Sequence, residues 1–354
     1  MSQNQKKLIY NEVKELSFLD ELIEWKKDKT FSYWLIVICS WLSIGLAFYH
    51  LFVAVYGTPE GRSFRSIHLS IMMILAVFIY PAFRTSLKEL HTVQECDYYF
   101  KMILSSLLDV DPISISLEPN HQLDSSQQSK LKSALEDMLT EKPLQYILGE
   151  VPFRKLNLKV NPSVLIPRPE TEELVGWILE DYIKLNHKID LIDIGTGSGC
   201  IALSLKKEQP FFNVNALDID QPILDVVQQN KEKNKLEINC IKGDINDLHK
   251  LKVELIVSNP PYISPKEKTE IKKNVLNFEP HQALFVPQDN PLLYYQKILE
   301  FAAENLKSKG RIYFEINPLF ESEMEALIFS FDSYTITKRL DIFGKIRMLR
   351  LEKK

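Results

Sequence analysis

Glycine is scarce in this 354-residue chain, eleven in all, yet three of the eleven fall at positions 195, 197 and 199. They sit in the stretch LIDIGTGSGCIALSLKK, between an apolar run with strand character and a run that reads as a helix. A glycine-rich bend at such a junction lets the backbone approach a ligand closely, and the first turn of the helix offers it free amide donors. The chain around the bend agrees with that reading. From residue 189 onward, predicted strands at 190–194, 213–219, 238–242, 255–258 and 311–316 alternate with helical stretches such as 221–234 and 291–306. Two further strands are expected around 334–339 and 345–351. This alternation implies an α/β fold with a largely parallel sheet.

Acidic residues mark the ends of the same strands. Asp193 directly precedes the bend, and Asp218 ends the next strand, VNALD, where a carboxylate can accept both hydroxyl hydrogen bonds of a ribose. The third strand ends in Gly243-Asp244, which places a carboxylate where an adenine edge could sit. With Gly195, Thr196, Gly197 and Gly199, these residues describe a nucleoside-ligand site; the alternative is a structural turn with ordinary surface aspartates. After the strand LIVS comes Asn259-Pro260-Pro261-Tyr262. A residue before proline is held extended, and two successive prolines stiffen the chain beyond it. Such a corner can present the Asn259 amide, the Pro260 carbonyl and the Tyr262 ring on one side, although taken alone it is equally a plain proline turn.

Composition narrows the class. Forty-three basic against forty-seven acidic residues give a net charge of −4, which argues against a protein that coats nucleic acid. Four cysteines without a CxxC pair fit reduced thiols in a cytosolic compartment, and dispersed histidines without HExxH give no expectation of a metal site. Apolar residues are spread unevenly. Residues 31–56 carry no Asp, Glu, Lys or Arg, and as a helix they would reach about 39 Å against a hydrocarbon core of about 30 Å. A second uncharged run at 66–83 is shorter and interrupted by His68 and Pro81. The expectation is a transmembrane helical hairpin over 31–86, following a polar segment at 1–30; a buried helical pair is the alternative. Lys6, Lys7, Lys14, Lys26, Lys27 and Lys29 before the first run, and Arg84 and Lys88 after the second, orient both ends to the cytoplasm. Residues 87–150 read as a small helical domain, with Phe100, Ile103, Leu104, Leu107 and Leu108 at helical spacing. Residues 151–186 read as a β-hairpin linker, its turn expected near Asn161-Pro162, and a helix; 187–354 form the main α/β domain.

These residues carry two resemblances. DIGTGSG together with NPPY resembles an S-adenosylmethionine-dependent methyltransferase of Rossmann-like fold acting on a planar nitrogen. PLQYILGE at 143–150 and LIPRPETEELV at 165–175 are similar to the PrmC/HemK family, whose members methylate the glutamine amide of the Gly-Gly-Gln motif in class-1 peptide chain release factors. The resemblance covers roughly residues 90–354. It implies S-adenosylmethionine as cofactor, with Gly195, Thr196 and Gly197 at its methionine end, Asp218 on the ribose, and Asp244 and Ile245 beside the adenine. It implies that Asn259 and the Pro260 carbonyl grip the substrate amide, next to Pro261 and with Tyr262 against its face, while Arg168, Glu170 and Thr171 border the same pocket. It implies a helical substrate-recognition domain at 87–150, a monomer, and no direct contact with nucleic acid. The chain departs from the family pattern at Ile346, where an acidic residue is common, and in the stretch before residue 87. Residues 46–81 also resemble the amino-terminal spans of fused permease subunits of TRAP transporters. The competing readings are an amino-methyltransferase acting on nucleic-acid bases and a membrane accessory protein with an inert methyltransferase domain.

Overall fold

The computed structural model describes residues 87, 90–108, 125–248, 251–286 and 290–354. The expected hairpin over 31–86 therefore lies outside the described residues. Among these, no helix is long and apolar enough to cross a membrane. The chain divides into two compact units at Ile147/Leu148.

In the first unit, helices α1 (Val93–Leu108) and α2 (Ser125–Leu139) pack together. Cys96, Ile103 and Leu104 on α1, and Ala134 and Met138 on α2, are buried at separations of seven, eight and four residues, which put side chains on one helical face.

The second unit opens with an antiparallel ribbon of β1 (Glu150–Phe153) and β2 (Leu156–Lys159). Its turn is at Arg154-Lys155, with Arg154 at φ 48°, not near Asn161-Pro162 as the sequence suggested. The misplaced turn has a local cause. Asn161 makes its own small turn, its Oδ1 accepting from the Ser163 amide at 2.9 Å, a common use of asparagine that need not join strands. Helix α3 (Pro169–Asp181) begins with proline at its first position, where no amide hydrogen is needed, and carries Glu170 and Glu172 near its positive end.

A seven-stranded sheet completes the unit: β3 (Ile189–Ile194), β4 (Phe212–Asp218), β5 (Asn239–Lys242), β6 (Val253–Ser258), β7 (Leu306–Glu315), β8 (Tyr334–Leu340) and β9 (Ile346–Lys353). The spatial order is β5-β4-β3-β6-β7-β9-β8, and only β9 runs against the direction of the other six. Helices α4 (Cys200–Glu208), α5 (Gln221–Asn234), α6 (Leu293–Asn305) and α7 (Glu321–Phe329) connect the strands. Leu191 and Ile192 on β3, Leu255 to Val257 on β6 and Ile312 to Phe314 on β7 are completely buried. Strands covered on both faces read as continuous apolar runs, which explains why the central strands were recognisable without alternation. The chain moves outward from β3 through β4 to β5 and then returns to place β6 on the other side of β3. At such a switch point the loops leaving adjacent strands diverge and open a crevice beyond their carboxyl ends.

Candidate functional site

That crevice is a cavity of about 480 Å³, within the ordinary range for small-ligand sites. Its lining comes from the ends of β3, β4, β5 and β6, from the loop leading into α3, and from the start of α6.

The bend after β3 is tied down by its neighbour strand. The amides of Gly195 and Thr196 both donate to the Leu217 carbonyl at 3.0 Å, and the Gly197 amide donates to Asp218 Oδ2 at 3.0 Å. Gly195 and Gly197 adopt φ of +72° and +55°, in the left-handed region that costs other residues steric strain. A Cβ at either would meet nothing within 4 Å, because both face open space. Gly199 has a different task. It caps α4 at φ +78°, and a Cβ there would lie 3.2 Å from both Leu203 on α4 and Val227 on α5, so its smallness serves packing of helix against helix. Asp193 likewise does not line the cavity. It is completely buried, and its Oδ2 accepts from Thr196 Oγ1 at 2.7 Å and from the Ala202 amide at 3.2 Å, which shapes the bend from beneath. Burial pushes the Asp193 carboxyl up from its ordinary 3.8 to about 7.

Asp218, Asp244 and Ile245 all line the cavity, together with Gly243. The two oxygens of Asp218 accept from the amides of Gly197 and Ile219, and burial raises its pKa against those hydrogen bonds. Each carboxylate oxygen keeps acceptor capacity beyond one bond. Asp244 caps a short turn by accepting from the Asn246 amide at 2.9 Å.

The proline corner shares this cavity with the bend. Asn259, Pro260 and Pro261 line the same cavity as Gly195 to Ser198. Arg168 and Thr171 join them from the loop before α3 and its first turn. Asn259 Nδ2 donates to Thr171 Oγ1 at 3.2 Å, and Thr171 Oγ1 donates to Glu315 Oε2 at 2.7 Å. Tyr262 does not line the cavity. Its ring packs against the core beside Tyr295, and its hydroxyl donates to Glu315 Oε1 at 3.1 Å. The expectation of a ring lying over a ligand is therefore replaced by a ring that anchors the corner. Glu170 also lies off the lining, in the first turn of α3.

Three residues around the site were not singled out from the sequence. Glu315, at the end of β7 and only 1% exposed, joins Thr171 to Tyr262. Burial raises its pKa, opposed by the two hydroxyl donors and by the charge of Arg347. Glu279, also buried, accepts from Arg168 Nη2 at 2.5 Å and from the Ile166 amide at 3.2 Å, fixing the loop before α3. Asn230 on α5 donates to the Ser198 and Lys159 carbonyls and so clamps β2 to the bend. The available signal was polarity out of place: an acid within the apolar run YFEI, and an asparagine on the buried face of α5.

Comparison with known proteins gives this geometry a family. The PrmC N-terminal domain family matches residues 86–149, and the methyltransferase small domain family matches 177–282. A protein of Flavobacterium psychrophilum named release factor glutamine methyltransferase is 40% identical over 273 residues, covering 76% of this chain and 96% of the relative. One of the same name from Bacteroides thetaiotaomicron is 37% identical over 75% of this chain and 96% of its own length. The chain belongs to the release factor glutamine methyltransferase family. A Streptococcus pneumoniae member is 46% identical over 181 residues, 51% of this chain and 64% of the relative. The Rossmann-like methyltransferase sheet expected from GTGSG and NPPY is thus the fold observed, and the PrmC/HemK resemblance holds. The transporter resemblance of residues 46–81 finds no support in these comparisons.

Proposed function

We propose that this chain transfers a methyl group from S-adenosylmethionine to the side-chain amide nitrogen of the glutamine in the Gly-Gly-Gln motif of class-1 peptide chain release factors. The observation that carries the reading is one cavity lined at once by the Gly195–Gly197 bend, the Asp218 carboxylate and the Asn259-Pro260 corner. The relatives' names supply the substrate.

The residues fit the cofactor. The open space over Gly195 and Gly197 admits a chain that any side chain there would obstruct, and Asp218 retains acceptor sites suited to a ribose diol. Asp244 and Ile245 border the place for an adenine. When bound, S-adenosylmethionine supplies an electrophilic methyl group. The protein's task is then to prepare a poor nucleophile, because an amide nitrogen has its lone pair delocalised into its carbonyl. Asn259 Oδ1 and the Pro260 carbonyl would accept the two amide hydrogens, holding the nitrogen in place with its lone pair toward the methyl. Well-oriented systems gain up to about 7–11 kcal/mol from such placement. Transfer would form a carbon–nitrogen bond as the carbon–sulfur bond breaks, and the amide would lose one proton to solvent. We assign no aspartate as its base.

The test offers the full-length protein labelled S-adenosylmethionine with a release factor, with a release factor whose motif glutamine is replaced by alanine, and with DNA and RNA. Label in the intact release factor alone is the expected result; label in nucleic acid alone would overturn the reading. Asn259→Ala should bind the cofactor as the parent does while transfer drops by about a hundredfold or more, since only transition-state positioning is removed.

We also propose that residues 31–86 tether the enzyme to the cytoplasmic membrane with its catalytic unit on the cytoplasmic side. This rests on the uncharged run and the flanking basic residues of the sequence.

A further inference from the structure

Asn259 can serve as an acceptor only if its amide faces the right way. Its oxygen and nitrogen have nearly the same shape, so sterics alone does not choose between them. A flipped amide would present two donors to a substrate amide hydrogen and repel it. Something in the protein must set the orientation, and the hydrogen bonds around the corner do so by polarity. Thr171 has one hydroxyl hydrogen and can donate only once. That hydrogen is committed to Glu315 Oε2 at 2.7 Å, and Thr171 is itself 2% exposed, so no water competes. The hydroxyl can therefore only accept from Asn259, which requires the Nδ2 end, as observed at 3.2 Å. Oδ1 is left for the cavity. The second oxygen of Glu315 accepts the Tyr262 hydroxyl, three residues along the corner. A single buried carboxylate thus holds the corner at both ends.

We infer that Glu315 is a positioning residue for methyl transfer, setting the donor–acceptor polarity of Asn259 through the Thr171 hydroxyl. Glu315 touches neither the cavity nor anything in it, and its action is indirect. The inference rests on the function proposed above. Its location is also informative, because β7 carries no cavity-lining residue of its own. The fold uses the strand end adjoining β6 to brace the strand end that performs the chemistry.

The test is a double-variant cycle in the full-length protein. Glu315→Gln replaces an acceptor pair by one acceptor and one donor, so the two hydroxyls can no longer both donate. Thr171→Val removes the relay at nearly constant volume. We expect each to lower kcat by about tenfold to a hundredfold, the cost of a misplaced reacting group, with cofactor affinity and the KM for the release factor unchanged. The loss in the double variant should fall short of the product of the two single losses, because both share the Thr171 path while Glu315 also holds Tyr262. Multiplying losses, or a loss seen as weaker cofactor binding, would overturn the inference, as would an unaltered kcat in Glu315→Gln. Should that variant not fold, Thr171→Val alone decides, since a loss outside kcat refutes the relay. The parent protein run beside them separates the two claims. Its failure to label the release factor would remove the functional reading and this one with it, whereas equal turnover of parent and variants would sink only the relay.

Discussion

Asp193 shows how a residue can be essential to a site it never touches. The sequence placed it among cofactor ligands because it precedes the bend; the structure sets it below, holding Thr196 and the start of α4. Its burial has a measurable consequence. Folded, it keeps its proton to about pH 7, whereas its ordinary value is 3.8. Between about pH 4 and about pH 7 the native state therefore binds the extra proton, and this group makes stability fall as pH rises. Asp193→Asn removes that titration while keeping an acceptor for Thr196 and Ala202. The unfolding free energy of the variant relative to the parent should climb from about pH 5 to about pH 7.5, read by urea denaturation. A difference that stays level would show that Asp193 is ionised throughout. Local patterns sufficed to find Asp218, Asp244 and Asn259, each at the end of a strand visible as an apolar run. They could not find Glu315, Glu279 or Asn230, whose partners lie 144, 111 and 71 residues away. Side-chain bonds over such separations exist only once the sheet order is known.

The strand-to-helix bend contains three glycines that the sequence treated alike, and the element separates them. All three have positive φ, so an alanine at any position costs about 1–2 kcal/mol from handedness alone. Beyond that shared cost they diverge. At Gly199 the added methyl would press on Leu203 and Val227 at 3.2 Å, whereas at Gly195 it would stand in open cavity space. Gly199→Ala should therefore be the less stable variant in thermal unfolding yet bind S-adenosylmethionine nearly as the parent does. Gly195→Ala should be the more stable of the two and lose cofactor affinity in calorimetry. The reverse ranking in either measurement would mean that the helix–helix contact and the ligand side of the bend have been exchanged. The ribbon of β1 and β2 gives the corresponding lesson for legibility. Its alternation was readable only from Phe153 onward, with Phe153, Leu156 and Leu158 buried. Its turn was not, because Arg154 adopts φ 48° without any of the residues that usually advertise a tight turn.

At the scale of the molecule the open matter is where the enzyme works. A release factor is a soluble partner, and nothing in methyl transfer to a glutamine calls for a lipid surface. The sequence nevertheless places a charge-free run of transmembrane length at 31–56, with six lysines before it, ahead of a unit whose fold needs neither. Among the described residues, the second unit has its own closed core, with the sheet covered on both faces and the cavity opening at the strand ends. An anchor would raise the local concentration of enzyme at the membrane without altering the site. The full-length chain should accordingly sediment with membranes, stay there through alkaline carbonate and high salt, and be released by detergent with its methyltransferase activity intact. Peripheral binding through the lysines would instead be reversed by salt, because attraction between exposed charges is screened within about 3 Å at 1 M ionic strength. Recovery of active full-length protein in the salt wash would reject the tether, and appearance in the soluble fraction without any wash would reject membrane association altogether.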